Sequence, residues 1–249
     1  MNRSAITALG VVVPARNEEE LLPRCLDALE RAVAELTLPV LVVVVLDDCR
    51  DRSAATVGGR PHFMVLELQA RNVGRARAAG FEAVLRWSAA TPPEQLWLAS
   101  TDADSTVPED WLRVQLESAQ EGFEAVLGTV RVVDWTGRPA EVAARFSAQY
   151  QGNDEHRHVH GANMGMTAAA YLAAGGVPPL ALSEDQGLAR SLAGRRTLRT
   201  GRIPVTTSAR VRSRARGGFA GYLDALSGRR DVTGELAPLA GRRSSSCSG

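Results

Sequence analysis

Residues 40–46 form an uninterrupted apolar run, VLVVVVL. A strand that is apolar on both faces is typical of a parallel sheet covered by helices on both sides. A second apolar run, residues 8–13, precedes it, and the segment between them has apolar residues at a period near 3.6, which predicts an amphipathic helix. The apolar stripe of this helix consists of Leu21, Leu22, Cys25, Leu26, Leu29, Val33 and Leu36. The order strand, helix, strand predicts a doubly wound α/β fold.

The alternation of strands and helices continues through the first half of the chain. Four more elements follow in order: a strand at 63–68, a helix at 75–87, a strand ending at Thr101 and a helix opened by Pro108. The second half is less regular, with a strand at 125–133, a helix at 139–150 and a mixed stretch to about Leu226. We therefore predict a mostly parallel sheet with a mixed second half.

The chain is long enough to bury a full core, since it has 249 residues of which 45% are hydrophobic and 23% are charged. We predict one domain over residues 1–229. Its two halves would cover about residues 1–105 and about residues 106–229. The tail at 230–249 is rich in Ser and Arg near its end and is predicted to be disordered.

Composition excludes several classes of function. The net charge of +1 predicts no general attraction to nucleic acid. All 29 basic residues are arginine, so Schiff-base chemistry and a P-loop lysine are excluded. The three scattered cysteines indicate a reducing compartment. With no secretory hydrophobic region and no apolar run long enough to cross a bilayer, the sequence predicts a cytoplasmic protein without an integral membrane segment.

Two carboxylates, Asp102 and Asp104, follow the apolar strand that ends at Thr101. Side chains at i and i+2 of an extended segment point to the same face, so both carboxylates would reach one small target. A hard divalent cation that carries phosphate oxygens is such a target. Acidic residues after strands also serve as helix caps or solvated loop residues, so the pair alone does not decide between these roles.

The turn after the first strand, residues 14–20, argues against a dinucleotide-binding Rossmann domain. It contains no glycine, and its three glutamates are predicted to lie in the first turn of the following helix. Carboxylates suit the helix dipole there, but they repel phosphate. A nucleoside diphosphate bound at this edge would therefore need its charge neutralised elsewhere, by a metal.

Four motifs in order resemble those of family 2 glycosyltransferases with the GT-A fold, of the soluble bacterial type. They are VVVPARNEE at 11–19, LDDCRDRS at 46–53, DAD at 102–104 and ED at 184–185. The resemblance covers about residues 8–226. It implies an enzyme that transfers a sugar, of the hexosyl type, from a nucleotide-diphosphate sugar to a hydroxyl acceptor with inversion. It also implies a divalent metal, Mg²⁺ or Mn²⁺.

The resemblance implies roles for individual residues of this sequence. Asp185 would be the general base, with Glu184 as a neighbour of undefined role, and Asp104 would bind the metal. The nucleotide-sugar site would comprise Pro14, Ala15, Arg16, Asn17, Glu18, Asp48, Arg71, Asp102, Ala103 and Asp104. The acceptor side would comprise His160, Gly161, Ala162 and Asn163.

Three histidines, His156, His158 and His160, alternate along the sequence. On a strand they would share one face, either as a metal site or as a polar face, and the pattern leaves their role open. Some metal-dependent members of the family supply a histidine ligand after the catalytic aspartate, and this chain has no histidine after His160.

An arginine-rich stretch at 195–216 occupies the region where that ligand would lie. Arg212, Arg214 and Arg216 continue an alternation that begins at Arg210, and Gly217 and Gly218 follow. The arginines would either clamp a diphosphate with bidentate contacts or form a solvated surface. Both interpretations are open.

Two other functions are weighed against glycosyl transfer. A sugar-phosphate nucleotidyltransferase on a similar fold is disfavoured because those enzymes open with a Gly-rich loop that bears lysine. A non-enzymatic protein that binds anionic ligands through residues 195–216 is disfavoured by the near-neutral charge and the 5% aromatic content. The sequence does not identify the donor base, the sugar or the acceptor.

Overall fold

The computed structural model of the chain describes residues 5–154, 156–211 and 218–227. Its strands are β1 (Ala8–Ala15), β2 (Val40–Asp47), β3 (Phe63–Leu68), β4 (Leu96–Ser100), β5 (Ser105–Thr106), β6 (Ala125–Arg131), β7 (Met164–Thr167) and β8 (Thr197–Thr207). Its helices are α1 (Leu22–Ala34), α2 (Ser53–Val57), α3 (Val73–Trp87), α4 (Trp111–Gln120), α5 (Ala140–Gln149), α6 (Ala168–Ala173), α7 (Glu184–Ser191) and α8 (Phe219–Leu226).

The strands form one sheet in the order β3-β2-β1-β4-β7-β6-β8-β5. The first four strands in this order are parallel, as the continuous apolar runs predict. Strand β7 is antiparallel to both β4 and β6, and β5 is antiparallel to β8. The predicted mostly parallel sheet with a mixed second half is confirmed.

Helices cover both faces of the sheet. On one face α1 and α4 pack against alternate residues of β1, including Leu9, Val11 and Val13. On the other face α3 packs against Val12 of β1, with Phe81 and Val84 fully buried. A third, smaller core lies between α5 and α8. Because both faces of the sheet are covered, its strands are held in place, and the turns at their carboxyl ends lie at the edge of the sheet.

The predicted boundaries agree closely with the structure except at α1 and at α4, which begins at Trp111 rather than at Pro108. Helix α1 begins at Leu22, so the prediction that three glutamates occupy its first turn is wrong. Pro23 fits the first helical turn because a proline lacks the backbone N–H that would be unpaired there. Residues 18–20 instead belong to the turn between β1 and α1, where Glu18 is buried.

Both predicted halves contribute strands to the one sheet, but their treatment as one domain over 1–229 stays a prediction. The predicted tail at 230–249 lies outside the described residues. Within the described ranges, no helix is both long enough and apolar enough to cross a membrane.

Candidate active site

The turns at the carboxyl ends of the parallel strands have unusual backbone conformations. Of the five described non-glycine residues with a positive φ, three lie in these turns: Asn17 at 53°, Asp48 at 54° and Arg71 at 50°, which follow β1, β2 and β3 respectively. This left-handed conformation is uncommon for such residues and is concentrated at functional sites. Ligands of open α/β sheets bind at the same edge. The three turns therefore identify this edge as a candidate binding surface.

Asp47 and Asp48 end strand β2 and have different partners. The buried Asp47 carboxylate accepts hydrogen bonds from the backbone N–H groups of Ala70, Arg71 and Asn72 at 2.7, 2.8 and 2.7 Å. Asp48 Oδ2 instead accepts from Arg71 Nε at 2.6 Å, and this contact holds the pKa of Asp48 below its usual range. Asp47 thus fixes the turn after β3, while Asp48 remains at the site with a cation beside it.

The turns after β1 and β2 are joined by hydrogen bonds. The backbone N–H of Glu18 donates to Ser53 Oγ at 2.8 Å, and that of Asn17 donates to Cys49 Sγ at 3.4 Å. In return, the backbone N–H of Arg50 donates to Asn17 Oδ1 at 2.8 Å. These contacts hold residues 17 and 18 against the turn that carries Asp48.

The other residues predicted for nucleotide binding lie at the same edge. Pro14 and Ala15 end β1, with Ala15 buried beneath the edge. Arg16 follows, and its guanidinium lies 3.6 Å from the Asp48 carboxylate. The structure therefore brings residues 14–18, Asp48 and Arg71 together on adjacent strand ends.

Asp102 and Asp104 do not share one partner in this structure. Strand β4 ends at Ser100, and the chain turns between it and β5, so the extended geometry assumed for the pair is wrong. Asp102 Oδ1 lies 3.1 Å from Arg77 Nη2, whereas Asp104 Oδ2 lies 2.9 Å from Arg210 Nη2. The buried Ala103 separates them.

The Asp104 carboxyl lies in a buried, acidic environment. Burial raises its pKa to about 6; Arg210 opposes this shift, and Asp102 and Glu18 add to it. Arg210 Nη1 also lies 2.6 Å from Glu18 Oε2, so one guanidinium bridges the two carboxylates. Arg210 therefore connects the segment that follows β8 to the turns after β1 and β4.

Glu184 and Asp185 begin α7 but differ in exposure. Glu184 is buried, and its Oε1 lies 3.2 Å from Arg77 Nη2. Asp185 is half-buried, and its two oxygens accept from the backbone N–H groups of Gly161 at 2.9 Å and Gln186 at 2.7 Å. Burial raises the pKa of both acids, and Arg77 acts in the opposite direction. Ser183 occupies the N-cap position, but its side chain makes no capping hydrogen bond.

Arg77 is a site residue that the sequence analysis missed. Its guanidinium is fully buried and contacts Ser100 Oγ, the Gly161 carbonyl oxygen, Asp102 and Glu184. A signal was present in the sequence, because Arg77 lies at helical spacing from the apolar residues of α3 that face the sheet. A charged residue on a buried helix face requires partners inside the protein.

The predicted acceptor side divides into two parts. Gly161 contacts Asp185, as described, whereas Asn163 points into the core. Asn163 Nδ2 donates to the carbonyl oxygens of Thr129 and Ile203 at 2.8 and 2.7 Å, and its Oδ1 accepts from Trp111 Nε1 at 2.8 Å. All these contacts are to protein groups, so Asn163 joins β6, β8 and α4 rather than facing a ligand. Ala162, between them, is also buried.

The three alternating histidines lie outside the strands, so the interpretation of a strand face is wrong. Their rings are stacked in series with that of Tyr150, whose centroid lies 4.1 Å from that of His158. Burial lowers the pKa of all three, that of His160 to about 3. His160 Nε2 lies 2.9 Å from the Tyr150 hydroxyl, which accepts from the Val130 N–H. The segment thus packs as neutral rings beside Gly161.

The predicted arginine clamp is described only at its start. Strand β8 ends at Thr207, so Arg210 lies beyond the strand and the alternating strand geometry does not extend to it. Arg212, Arg214 and Arg216 lie outside the described residues. Arg210 itself contacts Asp104 and Glu18, which gives it a defined place at the site.

A divalent cation at this site would draw oxygen ligands from a bound diphosphate as well as from Asp104. No group of three His, Cys, Asp or Glu residues that could hold a metal occurs among the residues that the structure describes. Mg²⁺ is commonly held by one or two carboxylates and by phosphate oxygens of the substrate. Asp104 suits that arrangement because it is half-buried beside two like-charged groups, Asp102 and Glu18. Arg210 supplies the positive charge in the conformation described.

Comparison with known sequences identifies the family. The family model for glycosyl transferase family 2 matches residues 10–172, which contain most of β1, all of β2 to β7 and the strand-end acids up to Asp104. The chain belongs to glycosyl transferase family 2. The resemblance read from the four motifs is confirmed at this level.

Two curated relatives align with part of the chain. Both are named undecaprenyl-phosphate 4-deoxy-4-formamido-L-arabinose transferase. The protein of Serratia proteamaculans is 33% identical over 132 residues, 51% of this chain and 37% of its own length. That of Aeromonas hydrophila is 32% identical over 139 residues, 53% of this chain and 39% of its own length. The chain thus matches about two fifths of the length of these family 2 relatives.

Solved structures share the fold. S. aureus TarS 1–349 in complex with UDP-GlcNAc has a TM-score of 0.63 at 15% identity, over 83% of this chain and 60% of that one. The mannosyltransferase PcManGT from Pyrobaculum calidifontis, in complex with GDP-Man and Mn²⁺, has a TM-score of 0.57 at 23% identity, over 82% and 58%. At these identities the likeness shows the fold alone, and the predicted GT-A fold is confirmed.

Proposed function

We propose that this chain transfers a sugar from a nucleoside-diphosphate sugar to a hydroxyl acceptor with inversion, with Asp185 as the general base. The observation that carries the proposal is the cluster around Arg77. Its guanidinium contacts Asp102, at the strand end expected to bind the donor, and Glu184, next to Asp185. Membership of family 2 supports the same reaction class.

The reaction requires positive charge beside the leaving diphosphate and a carboxylate beside the acceptor hydroxyl. The leaving diphosphate gains negative charge as the glycosidic bond breaks, and positive groups near Asp104 stabilise it. The acceptor hydroxyl loses its proton as it attacks, so a carboxylate within hydrogen-bond reach is required. Asp185 suits this role because it is only half-buried and is held by backbone N–H groups. Glu184 suits it less because it is buried against Arg77.

A panel of nucleotide sugars tests the proposal. UDP-GlcNAc and GDP-mannose belong in the panel because structural neighbours bind them. Undecaprenyl phosphate belongs among the acceptors because of the names of the two relatives. Release of a nucleoside diphosphate from one donor supports glycosyl transfer. Release of pyrophosphate would instead indicate nucleotidyl transfer, and no turnover of any donor would contradict an enzymatic role.

A bound cation would lower the energy of the departing diphosphate by neutralising its charge. On this proposal Asp104 would be the protein ligand of the cation, beside Arg210, whose Nη2 lies 2.9 Å from Asp104 Oδ2. We expect Asp104→Asn to weaken UDP or GDP binding in Mn²⁺ at least about tenfold, or about 1.4 kcal/mol. EDTA should weaken binding to the native protein in the same way, as measured by calorimetry.

Asp110→Asn is the matched control, because the ion pair of this half-buried acid among the described residues is with Arg113 in α4. It should leave nucleotide affinity unchanged. Equal affinity of the native protein in Mn²⁺ and in EDTA would contradict the proposed metal role of Asp104. Arg210 would then be the cation that serves the diphosphate.

The turns after β1, β2 and β3 are proposed to recognise the nucleotide base as well as the phosphates. Asp48 and Arg71 present a hydrogen-bond acceptor and a donor at this edge. We therefore expect UDP, GDP, ADP and CDP to raise the melting temperature by different amounts. A nucleotide at about 100 times its Kd adds about 2.7 kcal/mol of stability. Four equal shifts at equal concentrations would mean that only the diphosphate is bound.

A further inference from the structure

We propose that Arg77 is a positioning residue that orients the Asp185 carboxylate. It connects this carboxylate, through the backbone of Gly161 and through Glu184, to Asp102 on the donor side. The inference rests on the proposed function, since it concerns the residue assigned there as the general base. Arg77 itself is too deeply buried to touch a substrate. Its effect must therefore pass through the groups that it contacts.

The contacts of Arg77 come from three separate parts of the chain. The guanidinium binds Ser100 at the end of β4, Asp102 in the following turn, Gly161 before β7 and Glu184 at the start of α7. The two charged contacts are 3.1 and 3.2 Å long, and both involve Nη2. A planar guanidinium can satisfy several fixed acceptors in this way, whereas an ammonium group on a flexible stem cannot match that geometry.

The backbone of Gly161 connects Arg77 to Asp185. Its carbonyl oxygen accepts from Arg77 Nη1 at 3.1 Å, and its N–H donates to Asp185 Oδ2 at 2.9 Å. A side chain at this position would collide with the arginine, because a Cβ on Gly161 would lie 2.4 Å from Arg77 Nη2. The absence of a side chain thus allows the backbone of one residue, Gly161, to contact both groups.

The charges around Asp185 give the arrangement a measurable consequence. The charged groups near the Asp185 carboxylate are two acids, Glu184 and Asp102, and one cation, Arg77. The N–H groups of Gly161 and Gln186 stabilise its ionised form. Removing the charge of Arg77 therefore raises the pKa of Asp185, since an opposite charge that favoured the carboxylate is lost. The ionised base then persists only at higher pH.

The test compares Arg77→Met and Gly161→Ala with the native protein. The carboxyl ¹³C shift of Asp185 is followed against pH, after assignment with Asp185→Asn. Arg77→Met should move the titration midpoint upward by about one pH unit or more. Gly161→Ala retains the charge but displaces the guanidinium, so it should shift the midpoint in the same direction by less. With a donor that the native protein turns over, kcat should fall about 10²-fold in Arg77→Met, with a smaller change in KM.

Arg60→Met is the matched control, because Arg60 also bridges two acids, Asp27 and Glu30, away from the site. It should leave the Asp185 midpoint and kcat unchanged. An unchanged midpoint in folded Arg77→Met would overturn the inference, and so would an unchanged midpoint in Gly161→Ala if Arg77→Met does not fold. Failure of the proposed function can be distinguished from failure of this inference. If the proposed function is wrong, the native protein turns over no donor, and the Asp185 titration does not affect that result.

Discussion

Asp185→Asn should lower turnover on a hydroxyl acceptor by about 10²–10⁴-fold, the usual contribution of a general base. The amide has nearly the same shape as the carboxylate, and its single oxygen can still accept the hydrogen bond from the Gly161 N–H, although the one from the Gln186 N–H is lost. An amide cannot take the acceptor proton, however. Because the proton moves only as the new bond forms, donor Kd and melting temperature should barely change.

Two comparisons sharpen this prediction. A surface variant of the same kind, Asp134→Asn, controls for the loss of one carboxylate, since Asp134 accepts a hydrogen bond from the Thr136 N–H in its own turn. A phosphate acceptor is the second comparison, because an already ionised oxygen needs no base. The role of Asp185 is contradicted if Asp185→Asn retains near-native turnover on a hydroxyl acceptor. Glu184 would then be the next candidate for the base.

Asp47→Ala should lower the stability of the protein by about 4 kcal/mol, the largest effect on folding that we expect at this edge of the sheet. The buried carboxylate accepts three backbone hydrogen bonds, from residues 70, 71 and 72. Hydrogen bonds to charged groups contribute about 1.5–3 kcal/mol each, and partial relaxation of the turn recovers some of their sum. For a chain of this size the loss corresponds to a fall of about 8–16 °C in melting temperature.

The same change should impair nucleotide binding, because the turn that Asp47 holds carries Arg71. Asp47→Asn is the informative control, since its single oxygen can replace only part of the carboxylate, and it should be intermediate in stability. A melting temperature within about 2 °C of native for Asp47→Ala, measured by calorimetry, would show that the turn does not depend on this carboxylate.

The sequence predicts the strands and helices that carry the site, because these elements follow from local patterns. Apolar runs and helical periodicity define β1 to β4 together with α1 and α3, and strand ends carry Asp48 and Asp102 to one edge. A parallel sheet then brings those ends together without further information. The fold and the approximate position of the donor side therefore follow from the sequence.

The contacts inside the site could not be predicted, because they join residues far apart in the chain. Arg77 meets Glu184 and Arg210 meets Glu18, and no local periodicity specifies such pairs. The structure shows that Asp102 and Asp104 bind different arginines because the chain turns after Ser100. Likewise Asn163 matches a family motif, yet its amide is used within the core.

The central claim is an inverting transfer that depends on Asp185, and the anomeric configuration of the first product tests it most directly. With the donor that the panel identifies, ¹H NMR during the first turnovers distinguishes the two anomers before they equilibrate. The account predicts that the first-formed product has the anomeric configuration opposite to that of the donor, and that Asp185→Asn forms it far more slowly. Retention of the donor configuration in the first-formed product would contradict the account.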